Sequence, residues 1–246
     1  MSLLKSSYFS LAMTLSLVIS PLVSTTRGEE EKPGDAAHTI LLIGDSTVEG
    51  RAETAASQGW GKYLHRYVHA PWQVVNCASS GASTKTFLQR KNWQQAQAVD
   101  CRYLFIQFGH NDSHNPKKPE ATDAATDFKQ HLRDYVTYAR EKKIEPVLIT
   151  PMHRRTYKAD GSLKDSLAPY ARAVREVAAE MNVPVIDLHT VSGEKLKALG
   201  DAGSVDLFAE NDRTHFSPKG ADWMASEVAA QAVKLDATLG EAFRKE

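Results

Sequence analysis

The sequence predicts an α/β fold, with a five-stranded parallel sheet covered by helices on both faces. Two observations carry this. Short apolar runs recur at residues 39–43, 72–76, 103–108, 146–150 and 185–188, too brief for helices and of the length and composition of buried strands. Longer stretches with helical patterning lie between them, as parallel strands joined by crossover helices require.

The first run, Thr39-Ile40-Leu41-Leu42-Ile43, ends in Gly44-Asp45-Ser46-Thr47, and the second is followed by Cys77 and the small-residue segment 78–84. The third leads into Gly109-His110-Asn111-Asp112. Phe128, Leu132, Tyr135, Val136 and Ala139 then repeat at helical spacing, which predicts an amphipathic helix packed on the sheet. The fourth run leads into Pro151-Met152-His153-Arg154-Arg155, and Tyr170, Val174, Val177 and Met181 mark a second such helix before the fifth run. Ser217-Pro218 supplies a cap and a first-turn proline for a closing helix through Met224, Val228 and Val233.

With 246 residues and 42% hydrophobic content, the chain has material for one sizeable core, placed here in a single domain over 38–246. Thirty basic residues balance thirty acidic ones, so no global field draws in nucleic acid or an anionic membrane. Residues 1–25, with Lys5 ahead of a Leu/Val/Ile/Met-rich stretch and small residues at its end, read as a signal peptide. Residues 26–37, with three consecutive glutamates, read as a polar linker. A secreted or periplasmic protein is expected, without stable membrane association after processing and as a monomer. Cys77 follows the second strand and Cys101 precedes the third, so a strand's length of roughly 20 Å separates them and two free thiols are expected.

In a parallel sheet the segments after each strand gather along one edge, and here those segments are rich in chemistry. A serine hydroxyl needs a base to take its proton and a third group to fix the base's tautomer. Ser46, His215 and Asp212 suit these roles, because a spacing of three holds Asp212 and His215 in one short loop. Acyl transfer also needs donors aimed at the developing oxyanion, and the backbone N–H of Ser46, the backbone N–H of Gly81 and the Asn111 amide are the candidates.

Gly44-Asp45-Ser46-Thr47, Gly81, Gly109-His110-Asn111-Asp112 and Asp212-x-x-His215 together resemble the four blocks of the SGNH, or GDSL-like, hydrolases. The resemblance spans roughly residues 38 to 235. Gly59-Trp60-Gly61, Ser83-Thr84-Lys85-Thr86-Phe87 and Thr214-His215-Phe216-Ser217 are most similar to rhamnogalacturonan acetylesterases, which remove acetyl groups from pectin. The resemblance implies a flavodoxin-like three-layer α/β/α fold, no metal or other cofactor, Ser46 as nucleophile and an acetylated polysaccharide or oligosaccharide as substrate. One departure is Ala82, where such relatives often carry arginine.

Arg154 and Arg155 follow the fourth strand, and a guanidinium there suits a substrate carboxylate such as galacturonate. Trp60 is a candidate for stacking on a sugar ring, with a place in the core, packing the first helix onto the sheet, as the alternative. His110, Asp112 and His114 have metal-like spacing, but nothing else in the sequence completes a site and His110 reads better as a hydrogen-bonding brace. Asn111-Asp112-Ser113 matches a glycosylation sequon whose use would plug the oxyanion hole, so it is expected to be unused, as in a bacterial exporter. Within the same superfamily the alternative is a lipase, arylesterase or thioesterase; outside it, a catalytically silent carbohydrate-binding protein.

Overall fold

The computed structural model describes residues 38–243. The expected signal peptide and linker lie outside them. Strands β1 (Thr39–Gly44), β2 (Gln73–Asn76), β3 (Tyr103–Gln107), β4 (Glu145–Ile149) and β5 (Val185–Ile186) form one sheet in the order β2-β1-β3-β4-β5. Every pairing is parallel. The chain steps from β1 to one side and then back across to β3 on the other, so the crossovers diverge and a crevice opens at the carboxyl ends of β1 and β3.

Strand pleating sorts the apolar runs into two layers. Ile40, Leu42, Tyr103, Phe105, Val147, Ile149 and Ile186 face one side, where α5 (Leu188–Gly203), α6 (Pro218–Ala232), α7 (Ala237–Phe243) and a buried turn around Trp60 cover them. Leu41, Ile43, Leu104, Ile106 and Leu148 face the other, beneath α1 (Thr84–Phe87), α2 (Lys91–Gln97), α3 (Asp127–Glu141) and α4 (Ala168–Met181). The predicted stripes are the buried faces of α3, through Phe128, Leu132, Tyr135, Val136 and Ala139, and of α4, through Val174 and Val177. Each such large side chain withdrawn from water stabilises the fold by about 1.5–3 kcal/mol.

The first four strands end within a residue of the sequence reading, and the fifth strand and the closing helix stop earlier than read. The fifth run is a strand only to Ile186, because the Asp187 side chain accepts from Thr190 N at 3.1 Å and so caps α5. Helix α6 stops at Ala232, leaving Val233 as its C-cap. At its other end Ser217 accepts from Gly220 N at 3.2 Å. A Cβ on Gly220 would meet Leu207 O at 1.9 Å, so glycine is what lets α6 start against the 207–217 segment. Cys77 and Cys101 are buried and free; both belong to the apolar layer beneath α1 to α4, near enough for Cys77 to contribute to raising the Cys101 thiol.

Candidate active site

The turn after β1 is built so that Ser46 stands at its apex. A Cβ on Gly44 would lie 2.5 Å from Val48 Cγ2 and 2.7 Å from Gln107 O, so the strand must end in glycine to pass. Asp45 folds back and its Oδ1 accepts from Thr47 N at 2.8 Å and Thr47 Oγ1 at 2.7 Å, while Val48 N and Glu49 N both donate to Asp45 O. Beneath, Gln107 Nε2 donates to Thr47 Oγ1 at 2.8 Å and Trp60 Nε1 to Gln107 Oε1 at 2.7 Å. The serine turn thus rests on a fully buried polar chain.

The other half of the site comes from the far end of the sequence. Asp212 Oδ1 accepts from Thr214 N at 2.7 Å and His215 N at 2.9 Å, which curls the loop so that Asp212 Oδ2 meets His215 Nδ1 at 2.7 Å. His215 Nε2 then lies 2.9 Å from Ser46 Oγ. Burial pushes the Asp212 carboxyl up, but the two backbone N–H groups and the imidazole outweigh it and hold the group below its usual range. Ala209 N donates to His215 O at 2.9 Å, and Gln58 and Phe208 both bridge to Phe216, so the histidine is held on either side.

Ser79 N donates to Gly44 O at 2.9 Å and Ala82 N to Ser79 O at 3.1 Å, which fastens a tight turn beside the serine with Gly81 at φ 72°. Among the described residues neither Ser46 N nor Gly81 N has a hydrogen-bond partner. Asn111 Nδ2 donates to Ala82 O at 2.8 Å, which spends one of its two amide hydrogens and ties the segment after β3 to that after β2. Ala82 itself is buried, and Arg90 takes up the space beside Gly81, bonding Ser79 Oγ at 2.8 Å and Ser80 O at 2.6 Å.

A cleft of about 540 Å³ opens over Ser46 and His215, lined also by Asn111, Arg154, Lys164 and Asp212. Arg154 is at its wall: its guanidinium donates to His110 O at 2.8 Å, Ser113 Oγ at 3.2 Å and Ser166 Oγ at 3.3 Å. Lys164 was not among the residues singled out from the sequence; it belongs to a polar segment without periodicity. The three metal-spaced residues turn to separate partners. His110 Nδ1 stands 3.5 Å from Asp45 Oδ2, Asp112 accepts from Thr84 and Thr122, and His114 Nδ1 meets Glu120 at 2.7 Å. Burial pushes the His110 imidazole below its usual range, against the pull of Asp45. The bracing at position 110 comes from its carbonyl, which accepts from Arg154 and Ser113.

Two expected substrate contacts are corrected. Trp60 is 0% exposed, with its indole N–H committed to Gln107, so it is core and no sugar ring reaches it. Arg155 is buried away from the cleft with its guanidinium on Asp201, 5.9 Å above the Phe208 ring. Its backbone N donates to Arg213 O at 2.7 Å, so it anchors the loop carrying Asp212 and His215.

The family model of GDSL-like lipases and acylhydrolases matches residues 42–223. A probable rhamnogalacturonan acetylesterase of Bacillus subtilis, YesY, is 37% identical over 216 residues, covering 85% of this chain and 99% of its own. The rhamnogalacturonan acetylesterase RhgT of the same organism is 34% identical over 206 residues, covering 77% and 87%. Among solved structures, Bacillus subtilis protein YXIM has a TM-score of 0.70 at 27% identity over 80% of this chain, which spans only 56% of that one. The acetylxylan esterase Axe2 of Geobacillus stearothermophilus shares the fold, with a TM-score of 0.63 at 23% identity over 85% of this chain and 97% of its own. With most of its length matched and the serine, histidine and aspartate blocks converging on one cleft, the chain belongs to the GDSL-like lipase/acylhydrolase family.

Proposed function

We propose that the protein is a serine esterase that removes O-acetyl groups from a carbohydrate, pectic rhamnogalacturonan, through an acetyl-enzyme on Ser46. The observation that carries this is the unbroken chain Ser46 Oγ to His215 Nε2 at 2.9 Å and His215 Nδ1 to Asp212 Oδ2 at 2.7 Å. As Ser46 Oγ bonds to the acetyl carbon, its proton passes to His215 Nε2, and Asp212 holds the imidazole's orientation and offsets its new charge. The carbonyl oxygen becomes an oxyanion that the free N–H groups of Ser46 and Gly81 and the second amide hydrogen of Asn111 stabilise. The bond to the sugar oxygen then breaks, and that oxygen leaves with the proton from His215. Water, activated by the same histidine, attacks the acetyl-enzyme and releases acetate and Ser46.

The substrate class is supported by the similarity to YesY and RhgT, a probable and a named rhamnogalacturonan acetylesterase, and by the polar cleft wall, where Arg154 and Lys164 suit a uronate. That lining favours a small acyl group on a charged polysaccharide over the long apolar chain of a lipid ester. Residues 1–25 support action outside the bacterial cytoplasm.

The test is acetate release from acetylated rhamnogalacturonan and acetylated xylan by the wild type, Ser46→Ala and Arg154→Ala. Release from the pectic substrate is expected to fall by roughly 10⁴-fold or more in Ser46→Ala. Arg154→Ala is expected to raise KM on the pectic substrate and leave neutral acetylated sugars unaffected. Equal release from both polymers overturns the pectin assignment, and release from neither overturns the carbohydrate reading in favour of lipidic esters or a silent binder.

A further inference from the structure

A second group of reactive side chains lies behind the cleft wall, outside the chemistry of Ser46. His153 follows β4, His189 stands in the first turn of α5, and Asp165 lies in the segment that runs into α4. Both histidines are buried while the aspartate reaches solvent. His189 Nε2 is 3.0 Å from Asp165 Oδ1, and His153 Nε2 is 3.7 Å from Asp165 Oδ2. The imidazole planes are tilted by 33° to one another with centroids 4.1 Å apart, and one ligand atom of each of the three residues falls within 4.8 Å of the others. Among the described residues no other group of three His, Cys, Asp or Glu side chains converges so closely.

Hydrogen bonding accounts for only half of this arrangement. The contact at 3.0 Å is a bond, but 3.7 Å is too long for one, so His153 is aimed at the carboxylate without being bonded to it. A tetrahedral zinc ion with bonds of about 2.0–2.1 Å holds neighbouring donor atoms about 3.3 Å apart. The two observed spacings straddle that value. The backbone also makes room for the ring: a Cβ on Gly193 would lie 2.8 Å from His153 Nε2 and 3.0 Å from Cδ2, so the imidazole occupies space that only glycine leaves open. Two imidazoles and one carboxylate form a donor set suited to zinc and its neighbours rather than to calcium or magnesium.

We propose that His153, Asp165 and His189 bind a divalent transition-metal ion of the zinc class through two Nε2 atoms and a carboxylate oxygen, with solvent in the fourth position. None of the three lines the cleft, but Arg154, Lys164 and Ser166, their neighbours in sequence, do. The ion is a clip: it joins the segment carrying Lys164 and Ser166 to β4 and α5, and it fixes one wall of the substrate cleft without entering the reaction.

The test is a zinc titration of the purified, metal-stripped protein against a chromophoric chelator, with thermal melts in parallel. One equivalent is expected to bind, with Tm rising by about 5 °C or more when zinc is in hundredfold excess over its Kd. His153→Ala, His189→Ala and Asp165→Asn are expected to weaken binding at least tenfold and so to cut the Tm rise at the same zinc concentration to about half or less, while their metal-free melts report whether each remains folded. His215→Ala and the exposed His65→Ala are expected to keep the equivalent. Cobalt in place of zinc is expected to give the visible bands of a four-coordinate nitrogen/oxygen site in the wild type and to lose them in Asp165→Asn. Failure of the wild type to bind zinc, or loss of the equivalent in His215→Ala with retention in the three ligand variants, overturns the proposal.

Discussion

Replacing Trp60 with phenylalanine separates a core residue from a sugar platform. The indole N–H donates to Gln107 Oε1 at 2.7 Å in a region with no exposure, and Gln107 passes the chain on to Thr47 and Asp45 beneath Ser46. Phenylalanine leaves Gln107 Oε1 buried without a partner, which costs about 1–3 kcal/mol. The missing five-membered ring leaves a small cavity worth about 1 kcal/mol more. Together they lower stability by roughly 2–4 kcal/mol, read as a Tm lower by roughly 5–15 °C in a domain of this size. Urea and thermal melts of Trp60→Phe, Gln107→Met and the double variant give the coupling. Because the double variant leaves neither partner stranded, it is expected to be more stable than the two single losses added, by about 1 kcal/mol. KM for acetylated polysaccharide is expected to stay within twofold of wild type. A KM raised tenfold with an unmoved Tm would refute this reasoning and return Trp60 to the substrate.

The remaining predictions concern buried titrating groups. Burial, reinforced by Asp100, pushes the Cys101 thiol up to about 12, and burial also raises Cys77, so a thiol-specific reagent at pH 8 is expected to label neither until denaturant exposes both. Rapid labelling of the folded protein would show that these layers open far more readily than their packing implies. Burial pushes the Asp112 carboxyl up to about 7, against the bonds from Thr84 and Thr122 and with help from the Asp45 charge. Since the folded state holds this proton more tightly than the unfolded chain, its contribution is complete below about pH 4 and is lost as pH rises through 7, by at most about 4 kcal/mol. Urea melts at pH 4.5, 6 and 7.5 are expected to show wild type losing stability relative to Asp112→Asn across this window, and a gain with rising pH would contradict the sign.

Local signals in the sequence were enough for the sheet and for the two helices with continuous apolar stripes. Helix α5 was not legible because its buried face is Leu188, His189, Ser192, Gly193 and Leu196, with too few large apolar residues to form a stripe. The triad was legible for the opposite reason: Asp212 and His215 are joined by hydrogen bonds within one turn, so spacing alone placed them together. Trp60 was open to both readings, platform and core, because an aromatic residue carries no mark of depth. Its neighbours did carry one, since a Cβ on Gly59 would lie 2.3 Å from Val48 C and one on Gly61 2.5 Å from Val48 O. Glycine on both sides of a tryptophan signals backbone pressed against backbone, and that happens in a core.

The two consecutive arginines show how a correct chemical intuition reaches the wrong partner. Arg154 and Arg155 are adjacent in sequence at a bend after β4, and only one of them faces the cleft. Arg154 does so, and Arg155 turns inward to meet a carboxylate of the chain itself, Asp201, which Arg213 also contacts at 3.1 Å. Arg213 Nη1 returns a bond of 2.9 Å to Arg155 O, so the segment after β4 and the loop holding Asp212 and His215 grip one another by backbone and side chain together. Ser46 and His215 are 169 positions apart, and their contact at 2.9 Å needs the histidine loop fixed to within a fraction of an ångström. A guanidinium half-shared with a second guanidinium on one carboxylate is a weak choice for binding a mobile sugar acid and a sound one for fixing a loop. Arg155 therefore fixes the loop that carries Asp212 and His215, and the arginine and lysine lining the cleft are Arg154 and Lys164.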